Sequence, residues 1–539
     1  MTARALNNSQ IARAAVVVVL GFLASGVLGL VRTWIFSVTF GASESLDAFY
    51  AAQRLPETLF VLVAGGALGS SFIPVFERFL ARGDDAGAWR LASAVLSCVG
   101  VIGTVLALVL GLLAPVLVPP LLEPQATPEV HALTTQLTQI MLITVAIFGI
   151  SGLLMGILNA QRLFLLPALA LSMNNIGQIF GAIVLTRVLS PDGTPNVIGL
   201  AWGAVLGALF HLLIQLPGLA RVGARLRVLP DPRIAGVSEV LVLMAPRILG
   251  LAIVQINFIV NVNLTSGMVD GSRTALITAW TLMFFLLGVI GQSVGAALFP
   301  TLAALVAQGD MDGYKARLSG AMRSVLFLSF PAMIGVWLLG TVGIDLIFGY
   351  DQWTETATLA TASALAWFAL GIPGHGLLEI LSRAFYALSD TRTPVLIGIG
   401  AMVANIALSL IFIRVIGDPT SLVNGAFVGL ALANSLTTLI EAGVLWWLLR
   451  RRLGSLHDRA IMIGAGRALI AAIGMGIAVQ LVITLISGAN GWIMVLVGAG
   501  VGVIVFFALA IVLGVEEARS IPRVFLRRFG GRFTARTRS

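Results

Sequence analysis

Residues 25–84 read SGVLGLVRTWIFSVTFGASESLDAFYAAQRLPETLFVLVAGGALGSSFIPVFERFLARGD. Two long apolar runs flank a short acidic loop, and Arg32, Asp47 and Arg54 sit at or inside them. Charge inside a membrane span is costly and is kept where it meets a partner or a water-filled cavity. These three residues are therefore the first candidates for function. The end of the stretch recurs further on. Gly65–Asp84 matches Gly291–Asp310, GQSVGAALFPTLAALVAQGD, with Gly69 on Gly295, Pro74 on Pro300, Gly83 on Gly309 and Asp84 on Asp310, all at an offset of 226. Asn159–Pro167, NAQRLFLLP, matches Tyr386–Pro394, YALSDTRTP, at an offset of 227. Two pairs at nearly one offset predict two homologous halves, a common plan for transporters with the substrate site between the halves. Chance likeness between Gly- and Pro-punctuated apolar helices is the competing explanation.

Of the 539 residues, 58% are hydrophobic and 11% charged, against about 25% charged in a soluble chain. The chain reads as an all-α integral membrane protein. Runs of about 18 or more apolar residues can span a bilayer. They fall near 12–39, 47–77, 91–119, 132–158, 164–188, 196–219, 237–265, 274–303, 321–348, 358–382, 393–416, 422–449, 460–487 and 490–514, giving 14 transmembrane helices. An outer-membrane barrel would alternate apolar and polar residues instead.

The single cysteine, Cys98, lies in an apolar run and suits a small core residue. It excludes a disulfide framework within the chain. His131, His211, His375 and His457 lack ligand spacing, so no metal site is expected. The net charge of +9 is better explained by the positive-inside rule than by nucleic-acid binding, and no nucleic-acid partner is expected. With these spans, 26 of the 33 basic residues fall on one side and three, Arg187, Arg273 and Arg414, on the other. Arg32, Arg54, Arg247 and Arg467 fall within spans. The bias predicts both termini in the cytoplasm. An offset of six spans is even, so the halves have the same orientation, related by an axis along the membrane normal. The expected organisation is 1–220 for spans one to six and 221–235 for a basic cytoplasmic linker. Then follow 236–450 for spans seven to twelve, 451–514 for spans thirteen and fourteen, and 515–539 for a basic tail. With Phe525, Phe529 and Phe533 among its arginines, that tail is either solvated or docked on anionic lipid.

The residues that carry a family likeness are VLGLVR at Val27–Arg32, FG at Phe40–Gly41, DAFY at Asp47–Tyr50, RLP at Arg54–Pro56 and GALGSSFIP at Gly66–Pro74. Gly156–Pro167, Gly288–Pro300 and Thr391–Pro394 extend it. The chain resembles the MurJ (MviN) lipid II flippases of the multidrug/oligosaccharidyl-lipid/polysaccharide (MOP) exporter superfamily. The resemblance implies a V-shaped fold of two six-helix lobes and no enzymatic activity. It implies alternating-access export of an undecaprenyl-pyrophosphate-linked peptidoglycan precursor across a bacterial cytoplasmic (inner) membrane. It further implies a lipid-tail groove on spans thirteen and fourteen, cell-wall synthesis machinery as partners, no cofactor, and coupling to Na+ or to membrane potential. Exporters of another lipid-linked oligosaccharide, and a non-transporting scaffold of the same fold, remain open as alternatives.

A pyrophosphate-linked head cannot cross hydrocarbon unshielded, so a hydrated electropositive cavity is needed. Arginine, planar and permanently charged, suits phosphate oxygens. Arg32, Arg54 and Arg247 are thus the expected substrate contacts, with helix anchoring or snorkelling toward a surface as the alternative for each. Asp47 is expected at a gate, or as a helix cap. Asn257, Asn261, Asn405, Glu379 and Glu441 supply oxygen ligands for an ion site, or ordinary interhelical hydrogen bonds. The chain departs from the family pattern where relatives carry charge, at Gly26, Phe60, Val61, Gly65, Trp280 and Thr281.

Overall fold

The computed structural model describes residues 8–63, 67–190, 194–288, 290 and 293–519. Helices occupy all fourteen apolar runs. They divide between two compact units, Met1–Thr274 with Tyr350–Thr354, and Ala275–Gly349 with Glu355–Ser539.

In the first unit the helices are α1 (Asn8–Phe40), α2 (Glu44–Val63), α3 (Ala67–Ala81), α4 (Asp85–Leu122), α5 (Pro128–Ala160), α6 (Leu165–Phe180), α7 (Thr186–Val188), α8 (Ile198–Leu213), α9 (Leu216–Arg221) and α10 (Val237–Thr265). A π-helical turn, Gly181–Leu185, joins α6 to α7. The core runs from Phe72 and Phe76 on α3 through Leu91 on α4 and Leu153 and Leu158 on α5 to Val240 on α10. Elsewhere α6 and the π-turn meet α8 glycine against glycine. A Cβ at Gly177 or Gly181 would collide with the backbone of Gly207 or Gly203. Small residues let helix backbones approach in a membrane, where packing replaces the hydrophobic drive between helices.

The helix α11 (Ser272–Leu287) begins at the end of the first unit and continues in the second. The second unit also holds α12 (Ser293–Ala307), α13 (Met311–Phe348), α14 (Glu355–Ala369), α15 (Ile372–Ala387), α16 (Arg392–Val415), α17 (Val428–Leu453), α18 (Asp458–Leu485) and α19 (Gly491–Val512). The two C-terminal helices pack on α13 through Phe327, Ala468, Ala471, Ala472 and Phe506.

Among the described residues ten helices are long and apolar enough to cross a membrane, or up to eleven when a bent pair counts as one span. That pair, α14 and α15, replaces the single run expected over 358–382 and is bent by 46°. Gly371 is the N-cap of α15 and Pro373 stands in its first turn. Proline has no N–H to continue the preceding helix and is well placed at a helix start. The run expected over 47–77 is α2 followed by α3, with 64–66, including Gly65, outside the described residues.

The repeat seen in the sequence recurs as local geometry. α4 and α13 are each 38 residues long and start 226 positions apart. Each is preceded by a left-handed glycine, Gly83 at φ +75° and Gly309 at φ +73°. Each is capped by an aspartate: Asp84 Oδ1 accepts from Gly87 N at 2.8 Å, and Asp310 Oδ1 from Gly313 N at 2.8 Å. An N-cap aspartate satisfies a free amide of the first turn. Pro74 and Pro300 likewise lie inside 15-residue helices, α3 and α12.

Candidate functional site

Asp47, Tyr50, Arg54 and Glu57 follow the three-to-four spacing that places side chains on one face of a helix, here α2. Tyr50 is within electrostatic reach of both Arg32 and Arg54. Arg32, on α1, donates through Nη1 to Oε1 of Gln178 on α6 at 3.4 Å. Its guanidinium lies 5.8 Å from the Phe36 ring centroid. Gln178 is buried and donates in turn to Asn174 Oδ1 at 3.4 Å. Arg54 pairs with Glu57 one turn on, Nη2 to Oε2 at 3.0 Å, and lies 5.5 Å from the ring of Phe258 on α10. Among the described residues, the Nε atoms of Arg32 and Arg54 are buried without a hydrogen bond. Two guanidinium groups thus lie within electrostatic reach of one tyrosine. That arrangement suits phosphate oxygens, which take charge-assisted bonds from arginine.

Arg247, on α10, donates through Nη1 to Ser71 Oγ on α3 at 2.7 Å. Asp47 does not cap α2. Its Oδ1 accepts from Thr274 N at 2.7 Å and Thr274 Oγ1 at 2.6 Å, and its Oδ2 from Gly271 N at 2.8 Å. It therefore satisfies the amide groups that open α11. Beside it Arg273 donates through Nη1 to Asp47 O at 2.7 Å and to Glu123 Oε1 at 2.6 Å. Its Nη2 donates to Glu123 Oε2 at 3.2 Å and Val262 O at 3.1 Å, and its Nε to Thr265 Oγ1 at 3.0 Å. All five guanidinium donors are in use. This cluster, which the sequence reading missed, joins the starts of α2 and α11 to the ends of α4 and α10. No local signal marks it, since Glu123 and Arg273 are 150 residues apart.

The expected ion-site residues divide between the units. Asn257 and Asn261 belong to α10 in the first, where Asn257 Oδ1 is buried without a hydrogen bond among the described residues. In the second, Asn405 Nδ2 donates to Thr437 Oγ1 at 3.2 Å, and Glu379 pairs with Arg383 one turn away. Glu441 lies beside Gly398. Among the described residues no three of His, Cys, Asp and Glu cluster closely enough to hold a metal ion.

The positions where the family resemblance led charge to be expected are filled otherwise. Phe60 packs on Phe148 with centroids 4.5 Å apart, and Trp280 on Phe284 at 4.6 Å and Phe368 at 5.2 Å. Gly26 is exposed, and Thr281 donates to Ile277 O at 2.9 Å.

Several known proteins resemble this chain. A lipid II flippase MurJ of Burkholderia cenocepacia is 31% identical over 423 residues, 75% of this chain and 78% of that protein. A solved structure described as lipid II flippase MurJ in an inward closed conformation superposes with a TM-score of 0.75 at 22% identity, covering 95% of this chain and 99% of that one. An inward-facing multidrug resistance MATE family transporter of the MOP superfamily gives 0.65 at 16% identity, over 82% and 96% of the two chains. These two structures share the fold. The family model described as lipid II flippase MurJ matches residues 36–498, a range that takes in Asp47, Arg54, Arg247 and both members of the repeat, and the chain therefore belongs to that family.

Proposed function

We propose that this protein is a lipid II flippase, moving the undecaprenyl-pyrophosphate-linked peptidoglycan precursor from the inner to the outer leaflet by alternating access. The observation that carries this reading is the pair of guanidinium groups, Arg32 and Arg54, set in apolar helices and both within electrostatic reach of Tyr50. A pyrophosphate offers many acceptor oxygens, and arginine binds them with charge-assisted bonds. Arg247 is a third contact in this scheme, and Asp47 belongs to a gate. Asn257, Asn261, Asn405, Glu379 and Glu441 are assigned to ion coupling. The architecture proposed for this task has fourteen spans in two lobes, 1–220 and 236–450, forming a V. The linker 221–235, both termini and the tail 515–539 are placed in the cytoplasm, and 451–514 forms a groove for the lipid tail. The location is a bacterial inner membrane, alongside the cell-wall synthesis machinery.

Export of another lipid-linked oligosaccharide is the second reading. It is favoured by the aromatic packing of Phe60 and Trp280, at positions where the family resemblance led charge to be expected. The test is complementation of a bacterium depleted of its own flippase. Rescue of growth and cell shape is expected. Failure of a protein that reaches the membrane in normal amount overturns lipid II as the substrate and leaves the second reading.

A further inference from the structure

The linker between α9 and α10 follows a fixed path. Arg227 N donates to Ser93 Oγ at 3.0 Å and Leu229 N to Ser97 Oγ at 2.7 Å, so two hydroxyls one turn apart on α4 hold an extended segment against that helix. Leu226 packs on the core of the first unit. Val228 is 91% exposed, a branched apolar side chain beside Arg227 at the edge of a membrane protein. Under this segment a groove of about 490 Å³ runs along α4, with Arg227 and Val228 at one end and Val101, Thr104 and Val105 lining it.

The reach of α4 follows from helix geometry. α4 has 38 residues, about 57 Å at 1.5 Å per residue, against a hydrocarbon core of about 30 Å. The helix therefore reaches beyond the hydrocarbon, and its N-terminal half carries Ser93 and Ser97, where the linker lies. Val101 and Val105, 52% and 51% exposed, lie one and two turns past Ser97 along α4. The basic end and the apolar trough thus present, in order along α4, surfaces that match the two parts of a phospholipid. Arg221, Arg225 and Arg233 add positive charge in the same linker. Basic residues near a membrane surface attract anionic lipid. A basic peptide, including this chain's own arginine-rich tail, would meet like charge there.

We propose that this groove binds one anionic phospholipid, its phosphate on Arg227 and an acyl chain along Val101, Thr104 and Val105. The site is separate from the arginines of α1 and α2 and does not depend on what the protein transports. The experiment is native mass spectrometry of the full-length protein from mixed micelles of phosphatidylglycerol or phosphatidylcholine with identical chains. The wild type is expected to retain one phosphatidylglycerol in preference to phosphatidylcholine. Arg227→Gln should reduce that preference about fivefold, the ratio that one basic residue near an anionic surface supports. Val101→Trp, which fills the trough without altering charge, should reduce retention of both lipids. Arg90→Gln, a basic residue on the same helix outside the groove, should change neither. Equal retention by Arg227→Gln and wild type overturns the proposal. So does displacement of the lipid by inorganic phosphate alone, which would mark a simple anion site, or retention of a basic peptide in its place.

Discussion

Arg273 and Glu123 form a bidentate ion pair within the first unit, Nη1 to Oε1 at 2.6 Å and Nη2 to Oε2 at 3.2 Å, with side chains 4% and 3% exposed. A buried pair is fragile to the loss of one member, because the survivor keeps its desolvation cost without its partner. Arg273→Met or Glu123→Leu should each cost about 3–5 kcal/mol. The double variant, which leaves no unpaired charge, should recover much of that loss. Thermal unfolding of the detergent-solubilised protein measures this. Similar melting temperatures for the wild type and both single variants would remove the pair from the stability account.

Transport should respond to a different set of residues. Arg32→Ala is expected to abolish complementation while leaving the amount of protein in the membrane unchanged. Arg467→Ala should complement as the wild type does, since among the described residues Arg467, itself exposed, donates to Gly514 O at 3.3 Å. Rescue by Arg32→Ala at wild-type level would take Arg32 out of the substrate path.

The paired caps give a third expectation. Asp84→Ala and Asp310→Ala should each destabilise the protein by about 1 kcal/mol, the usual cost of losing an N-cap. Gly87→Ala and Gly313→Ala should also destabilise, because the new Cβ would overlap the capping carboxylate. Equivalent effects at positions 226 apart would be the energetic counterpart of the repeat. Unfolding midpoints of the four variants decide it.

Asp390 gives a pH dependence. It lies in the loop before α16, where Oδ1 accepts from Thr393 N at 3.0 Å and Oδ2 from Thr393 Oγ1 at 2.8 Å and Arg452 Nη1 at 2.9 Å. The backbone bond from Thr393 is the main cause holding its carboxyl below the usual range, helped by the Thr393 hydroxyl and by Arg452. A carboxyl with a folded pKa below its unfolded value, about 3.9, stabilises fully above that value. The contribution disappears as pH falls through the lower folded one. Wild type should therefore exceed Asp390→Asn in stability at pH 6, with the difference shrinking below about pH 4. A constant difference across that range would contradict this account.

Much of the fold was open to reading because membrane insertion imposes a simple rule. Every run of apolar residues must satisfy its own backbone, so it becomes a helix. The expected 237–265 is α10 to the residue, and α4 and α13 follow the offset read from Gly83 and Gly309. The bend at Gly371 was missed, since Gly371 and Pro373 lie inside a run that reads as one span.

The site divides differently. Sequence alone determined that Arg32, Asp47 and Arg54 are unusual, since a charge among apolar neighbours is conspicuous one residue at a time. The three-to-four spacing of Asp47, Tyr50, Arg54 and Glu57 is also local, and it became a shared face once α2 was seen as a helix. Tertiary structure alone decided that Asp47 serves the opening of α11 rather than its own helix, and that Glu123 and Arg273 are partners. It alone brought the linker at Arg227 onto Ser93 and Ser97. Those relations join positions more than a hundred residues apart, and hydrogen-bond satisfaction between distant helices leaves no periodic trace in the chain.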